Sequence, residues 1–368
     1  MPGADFPTSP EALESEWLHR VLQRAGALPA GARITGFHAE ALGEGAGLIG
    51  QVCMVALHYA EGAAEAPARI IAKFPTASPE NRAVADTYDM YRREVHFYAG
   101  LAGRAAIATP RCWFASLAPD SSDFALLLED ISDRRLGDQT LGCGAEDART
   151  AVDALAKFHA AHWDATDDPA LAFAPPHANP AQAAGMAAGF RAGWPRVEEQ
   201  FSELVPPEVM DFAPRVPERV GALLEELCRP PLTLVHADYR LDNIFFAAKP
   251  THPPVTLIDW QSIAKARGPL DLAYFLTQSV QLPERRRHER ELVQRYHAAL
   301  CAGGARNYSF EDCWLDYRRA ALYLLCYAVV IAGTLELGNE RGIALARALL
   351  SRSCAAIADL RAGELLPA

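Results

Sequence analysis

Two short apolar runs, residues 244–248 and 255–258, flank the stretch Lys249-Pro250-Thr251-His252-Pro253-Pro254. That pattern predicts two antiparallel strands joined by a proline-rich loop. Further strands are expected at 51–59, rich in strand formers, at 70–73, and at the continuous apolar run 124–128. Helical periodicity appears elsewhere. Trp17, Val21 and Leu22 mark one face of an opening helix from Ser9-Pro10 to about residue 25. Val84, Tyr88, Tyr91, Val95 and Tyr98 recur at spacings of four and three, predicting one helix opened by Ser78 as N-cap and Pro79 in the first turn. Val152, Leu155, Phe158 and His159 mark another, ending near Trp163. The apolar run 320–333 is too short for a comfortable membrane span and reads as a buried helix.

Against this frame the polar positions acquire meaning. Asn243 enters the first strand of the hairpin and Asp259 leaves the second, so an antiparallel pairing brings the two oxygen ligands to the same end, where they can hold magnesium. Asp238 stands five residues before Asn243, in the loop after the apolar run 232–235. An Asp that accepts a proton from an attacking hydroxyl, an Asn five residues on and a further Asp for the metal are what phosphoryl transfer from ATP requires. Each taken alone is an ordinary turn residue; the spacing of all three carries the reading. Arg240 lies two residues after Asp238 and can neutralise charge on the transferred group or serve as a surface salt bridge.

Upstream, Gly45, Gly47 and Gly50 match G-x-G-x-x-G, which dinucleotide folds and kinases share. A dinucleotide site needs a helix opening at the glycines, whereas 51–59 reads as a strand, so the loop is expected to join two strands over phosphates. Lys73 ends the strand that follows and is the expected phosphate-binding cation. Glu94, on the border of the helical stripe, is its expected partner.

His236-Ala237-Asp238-Tyr239-Arg240-Leu241-Asp242-Asn243 resembles the catalytic loop of the aminoglycoside phosphotransferase and choline kinase superfamily, with Ala237 where a Gly is more usual. Leu126-Leu127-Leu128-Glu129-Asp130, Asp259-Trp260-Gln261 and Gly268-Pro269-Leu270-Asp271-Leu272-Ala273-Tyr274-Phe275 look most like its ecdysteroid-kinase-like branch. The resemblance implies an α+β, bilobal protein-kinase-like fold, with a small antiparallel-sheet N-lobe (residues 1–130) and a larger, mainly helical C-lobe (131–368). It implies ATP and Mg2+ as cofactors, an adenine contact with the backbone of Glu129 and Ile131, and a buried Asp271 that fixes the catalytic loop. No long activation loop ending in A-P-E follows Asp259, which favours a small-molecule hydroxyl over a protein as acceptor. A bulky apolar alcohol such as a hydroxylated steroid or lipid is the acceptor the branch suggests. The alternatives are an aminoglycoside- or choline-type kinase and a noncatalytic, nucleotide-binding pseudokinase.

Composition narrows the setting. The net charge of -11 and the lack of a basic stripe argue against nucleic acid as a partner. Eight scattered cysteines without a C-x-x-C pair fit reduced thiols. With no secretory pattern at the N-terminus, a cytoplasmic enzyme with no membrane association is expected. The cluster Arg285-Arg286-Arg287-His288, interleaved with Glu284, Glu289 and Glu291, reads as a solvated helix face.

Overall fold

The computed structural model describes residues 5–42, 49–60, 65–334 and 340–367. The chain divides into two compact units. Met1–Arg104, Ala108–Asp133 and Ile258–Gln261 form the first; Ala105–Ile107, Arg134–Leu257 and Ser262–Ala368 form the second. Ile258–Gln261 packs with the first unit although it lies far along the chain, beyond the stretch assigned from sequence to the N-lobe.

Five antiparallel strands in the order β1-β2-β3-β5-β4 make the sheet of the first unit: β1 (Ile34–Ala41), β2 (Gly50–Tyr59), β3 (Arg69–Pro75), β4 (Cys112–Leu117) and β5 (Phe124–Glu129). Alternation along the strands sends Cys53, Val55 and Leu57, Ile70, Ala72 and Phe74, and Ala125 and Leu127 into one core. Helix α1 (Ser15–Arg24) adds Trp17, Leu18, Val21 and Leu22 to it. Each such side chain contributes roughly 1.5–3 kcal/mol of burial. Lys73 falls out of phase with these residues, paired in register with Val52 and Leu126, and so projects from the opposite face.

Two helices differ from the sequence expectation. The opening segment is a 3-10 turn, Pro10–Ala12, and then α1, because Leu13 is extended and buried in the sheet core, which interrupts the helix. The single helix expected after Ser78 is two, α2 (Pro79–Thr87) and α3 (Met90–His96). Ser78 caps α2 through its Oγ, 3.2 Å from the Asn81 amide. Asp89 adopts a left-handed φ of 53° that ends the first run and resets the phase of the second. Val84 is therefore exposed, while Tyr91, Val95 and Tyr98 are buried.

Helices dominate the second unit: α4 (Ala145–Ala161), α5 (Pro180–Gln200), α6 (Pro207–Phe212), α7 (Val216–Leu227), α8 (Pro269–Gln278), α9 (Leu282–Ala302), α10 (Phe310–Thr334) and α11 (Glu340–Asp359). Strands β6 (Arg135–Leu136), β8 (Ile244–Phe246) and β9 (Val255–Leu257) form one small sheet, and β7 (Thr233–Val235) pairs with β10 (Ala264–Ala266). The hairpin of β8 and β9 pairs Ile244 with Leu257. Helix α10 carries the long apolar run and crosses α5 at Gly193 and Gly333; a Cβ on Gly193 would sit 2.7 Å from the Val329 carbonyl oxygen, so the close approach requires glycine. No helix among the described residues is long and apolar enough to cross a membrane. All eight cysteines are free thiols.

The basic cluster on α9 is not wholly solvated. Arg285 is buried, with its guanidinium on Glu289 at 2.8 Å and on Asp359. A buried arginine needs paired carboxylates, and these come from its own helix and from the end of α11.

Candidate active site

In the first unit the site is built around a buried cation. Lys73 Nζ lies 2.7 Å from Glu94 Oε2 on α3 and 2.9 Å from Asp259 Oδ1. Burial works against the ammonium, yet the charges of Asp259 and Glu94 outweigh it and raise the Lys73 pKa. Burial likewise raises the Glu94 pKa, against the pull of Lys73. The lysine is thus fixed as a cation with a defined direction. Gly50 packs against it: a Cβ there would meet Lys73 Cε at 3.3 Å and the Phe74 carbonyl oxygen at 3.1 Å. Gly45 and Gly47 lie outside the described residues.

The segment carrying Asp259 is anchored by its neighbour. Trp260 is fully buried and stacks on Phe97, ring centroids 3.7 Å apart and 11° from parallel. Asp259 has a left-handed φ of 64°, a conformation that costs a non-glycine residue about 1–2 kcal/mol. Gln261 Nε2 donates to Asp259 Oδ2 at 3.2 Å. Glu129 closes β5 with its amide on the Arg111 carbonyl at 2.8 Å, so that N–H is engaged within the sheet edge. Ile131 follows, buried.

In the second unit the loop after β7 is held from below by one carboxylate. Asp271, fully buried in the first turn of α8, accepts the His236 amide on Oδ2 at 2.6 Å and the Ala237 amide on Oδ1 at 2.8 Å. His159 Nε2 lies 3.2 Å from the same Oδ2, and its Nδ1 is 2.7 Å from the Tyr296 hydroxyl. Ala237 takes a φ of 61°, the conformation for which glycine is suited. That turn aims Asp238 outward.

Asp238, Arg240 and Asn243 are brought together. Asn243 Nδ2 donates to Asp238 Oδ2 at 2.8 Å and to the Asp238 carbonyl at 2.9 Å. With its amide nitrogen so committed, Asn243 can offer a cation only its Oδ1 oxygen. Arg240 Nε lies 3.1 Å from Asp238 Oδ1, and its Nη1 2.8 Å from Asp242 Oδ2. Each of Asn243 and Asp259, in its own unit, presents an oxygen donor of the kind a hard cation takes. No cluster of three or more His, Cys, Asp or Glu that could hold a metal ion occurs among the described residues.

Gln139 was not legible in the sequence. It is buried, accepts the Leu241 amide on Oε1 at 2.9 Å and donates from Nε2 to the Gln278 carbonyl at 2.9 Å. Arg352, on α11, donates to the Gln139 carbonyl at 2.6 Å. The C-terminal helix thereby braces the loop through residues more than a hundred positions apart. A lone Gln beside a turn carries no sequence signal for such a role.

Comparison with known proteins bears on the family and the fold. The profile of the ecdysteroid kinase-like family matches residues 44–304. Among curated proteins, none matches the chain in sequence. The structure of the GDP complex of wild-type aminoglycoside 2'-phosphotransferase-IIIa is similar at 16% identity and a TM-score of 0.53, covering 93% of this chain and 98% of that one. Choline kinase from Cryptosporidium parvum Iowa II is similar at 10% identity and a TM-score of 0.53, covering 96% of each chain. The fold is that of protein-kinase-like phosphotransferases, and the antiparallel sheet rules out the parallel arrangement of a dinucleotide-binding domain.

Proposed function

The chain belongs to the ecdysteroid kinase-like family, an enzyme of the small-molecule kinase class, and we propose that it transfers the γ-phosphoryl group of ATP to a hydroxyl of a small molecule. The observation that carries this reading is the Lys73, Glu94 and Asp259 cluster in one unit together with the Asp238, Arg240 and Asn243 cluster in the other. Lys73 and the backbone at Gly50, with Gly45 and Gly47, would hold phosphates, and Glu94 would fix the lysine. Asn243 Oδ1 and Asp259 would hold Mg2+, which when bound supplies charge neutralisation for the β- and γ-phosphates. The pairing of Ile244 with Leu257, which sets the start of one ligand's strand against the end of the other's, supports that assignment.

Asp238 orients the acceptor hydroxyl and takes its proton. The acceptor oxygen forms a bond to the γ-phosphorus, the bond from phosphorus to the β,γ-bridging oxygen breaks, and ADP leaves. Arg240, already paired with Asp238 and Asp242, would neutralise charge on the transferred group. Backbone groups at Glu129 and Ile131 would meet the adenine. Solved proteins of this fold carry GDP, one of them together with kanamycin. Free thiols throughout the chain support a cytoplasmic setting.

The test compares Asp238→Ala with Asp259→Ala. Asp238→Ala should retain Mg-ATP affinity by calorimetry while turnover falls about 10²–10⁴-fold; wild-type turnover would remove Asp238 from the reaction. Asp259→Ala should lose the magnesium-dependent part of nucleotide affinity, and unchanged affinity with and without metal would remove it from the site.

A further inference from the structure

The loop of residues 236–243 is held at its start by Asp271, in the first turn of α8. Its far end is held as well, and again through α8. Gln139, in the turn after β6, grips that end from two sides: its amide donates to Asp242 Oδ1 at 3.0 Å, and its side-chain Oε1 accepts the Leu241 amide at 2.9 Å. The same Oε1 takes the Ser279 hydroxyl at 2.8 Å, while Nε2 donates at 2.9 Å to the carbonyl of Gln278, the last residue of α8. The approach is close enough to demand glycine, since a Cβ on Gly137 would lie 2.6 Å from the Leu241 carbonyl oxygen.

Arg352 fixes the turn in its place. Buried on α11, it sets Nη1 2.6 Å from the Gln139 carbonyl and 3.1 Å from that of Gln278, and Nη2 2.8 Å from that of Thr140. All three partners are backbone carbonyls, and one of them closes the C-terminal end of α8, where unpaired carbonyls and the helix dipole favour a cation. Because the guanidinium is a rigid planar fork, three carbonyls aimed at it leave the turn one geometry.

That geometry controls Arg240. Its guanidinium is shared, with Nη1 2.8 Å from Asp242 Oδ2 and Nε 3.1 Å from Asp238 Oδ1 and 3.3 Å from Asp238 Oδ2. An arginine facing a single carboxylate pairs with it through two parallel N–H bonds. Asn243 Nδ2 already donates to Asp238 Oδ2. A bidentate Arg240 would therefore cover the oxygen that an acceptor hydroxyl has to reach. Asp242 prevents this by keeping Nη1, and Gln139 keeps Asp242 in place.

We propose that Asp242 and Gln139, braced by Arg352, are positioning residues for phosphoryl transfer: they hold Arg240 between two carboxylates, so that it does not close on the base. This rests on the kinase reading above, with Asp238 as base, and adds what keeps that base open to its acceptor.

The experiment follows transfer from Mg-ATP by the full chain to choline, kanamycin, inositol and a hydroxylated steroid, and to water. Acceptor phosphate is scored by mass spectrometry and free phosphate is assayed directly. An asparagine at 242 keeps one oxygen for Gln139 or for Arg240, not for both. With the acceptor used best, Asp242→Asn and Gln139→Leu should each lower kcat about 10–100-fold, with KM and calorimetric Mg-ATP affinity within about threefold of wild type. Gln139→Glu retains the oxygen for the Leu241 amide and should bring kcat back to within about threefold of wild type. The decisive comparison repeats Asp242→Asn on an Arg240→Met background, where it should change kcat by less than about twofold, because the residue through which it acts is gone. Equal losses in the two backgrounds would overturn the proposal, as would wild-type kcat for Asp242→Asn or for Gln139→Leu. Should neither water nor any acceptor take phosphate, the NMR signal of the Arg240 Nε–H group in arginine-labelled protein carries the test: Asp242→Asn should shift it, and an unmoved signal would overturn the proposal. A wild type that binds no Mg-ATP would strike the kinase reading itself, whatever that signal shows.

Discussion

Replacing Asp271 by Asn tests how the catalytic loop is held, because the change removes charge and one acceptor while keeping shape. In the native protein both carboxylate oxygens are used: Oδ1 accepts the Ala237 amide at 2.8 Å, Oδ2 the His236 amide at 2.6 Å, and His159 adds a contact at 3.2 Å. An asparagine keeps one oxygen and turns an NH2 group toward a backbone N–H, so one charge-assisted bond becomes a donor facing a donor. Such a bond contributes about 1.5–3 kcal/mol, and an unsatisfied buried N–H costs about 1–3 kcal/mol. With the site fully buried, water cannot repair the loss. The expected destabilisation is about 3–4 kcal/mol, or roughly 6–16 °C in Tm for a unit of this size. Circular dichroism melts would measure it, with hydrogen exchange of the His236 and Ala237 amides reporting locally. A Tm within about 1 °C of wild type, with those amides still protected, would refute the argument that Asp271 fixes the loop.

Other changes probe the same machinery. Ala237→Gly should stabilise the protein by up to about 1 kcal/mol, since glycine relieves a left-handed φ of 61° at a smaller cost in chain entropy; a fall in Tm would show that packing of the methyl group outweighs the strain. Gly268→Ala should destabilise by about 1–3 kcal/mol and lower turnover, because its Cβ would lie 2.2 Å from the Tyr296 hydroxyl and 2.8 Å from His159 Nδ1, and so must part the pair behind Asp271; a wild-type melt would count against that contact. Glu94→Gln should weaken Mg-ATP binding and cost about 1–3 kcal/mol of stability, measured by calorimetry and urea titration, as the buried Lys73 keeps only Asp259 as a charged partner. Unchanged nucleotide affinity would show that Glu94 does not set the lysine.

Sequence alone determined the elements whose cause is local. Two short apolar runs and the proline-rich loop between them fix the hairpin of β8 and β9, and the strand after the glycines is legible from its β-branched and apolar content. The spacing of Asp238, Asn243 and Asp259 pointed to one chemistry because the catalytic loop is nearly contiguous, and contiguous groups leave a pattern. The left-handed turn at Asp89 escaped that reading, since a helical stripe does not reveal a single residue at positive φ. Leu13 escaped it for a different reason: its extended backbone is held by a core assembled from distant strands.

Only tertiary structure decided which groups share a site across long stretches of chain. Lys73 and Asp259 are 186 residues apart, and Gln139 and Arg352 are 213 apart. No local propensity encodes such pairs, because each forms only when packing brings a buried charge or amide to a partner that offsets its desolvation. The burial of Arg285 beside Glu289 and Asp359 belongs to the same class. Sequence sets the chemical inventory and the local turns; the requirement that buried polar groups find partners chooses the remainder.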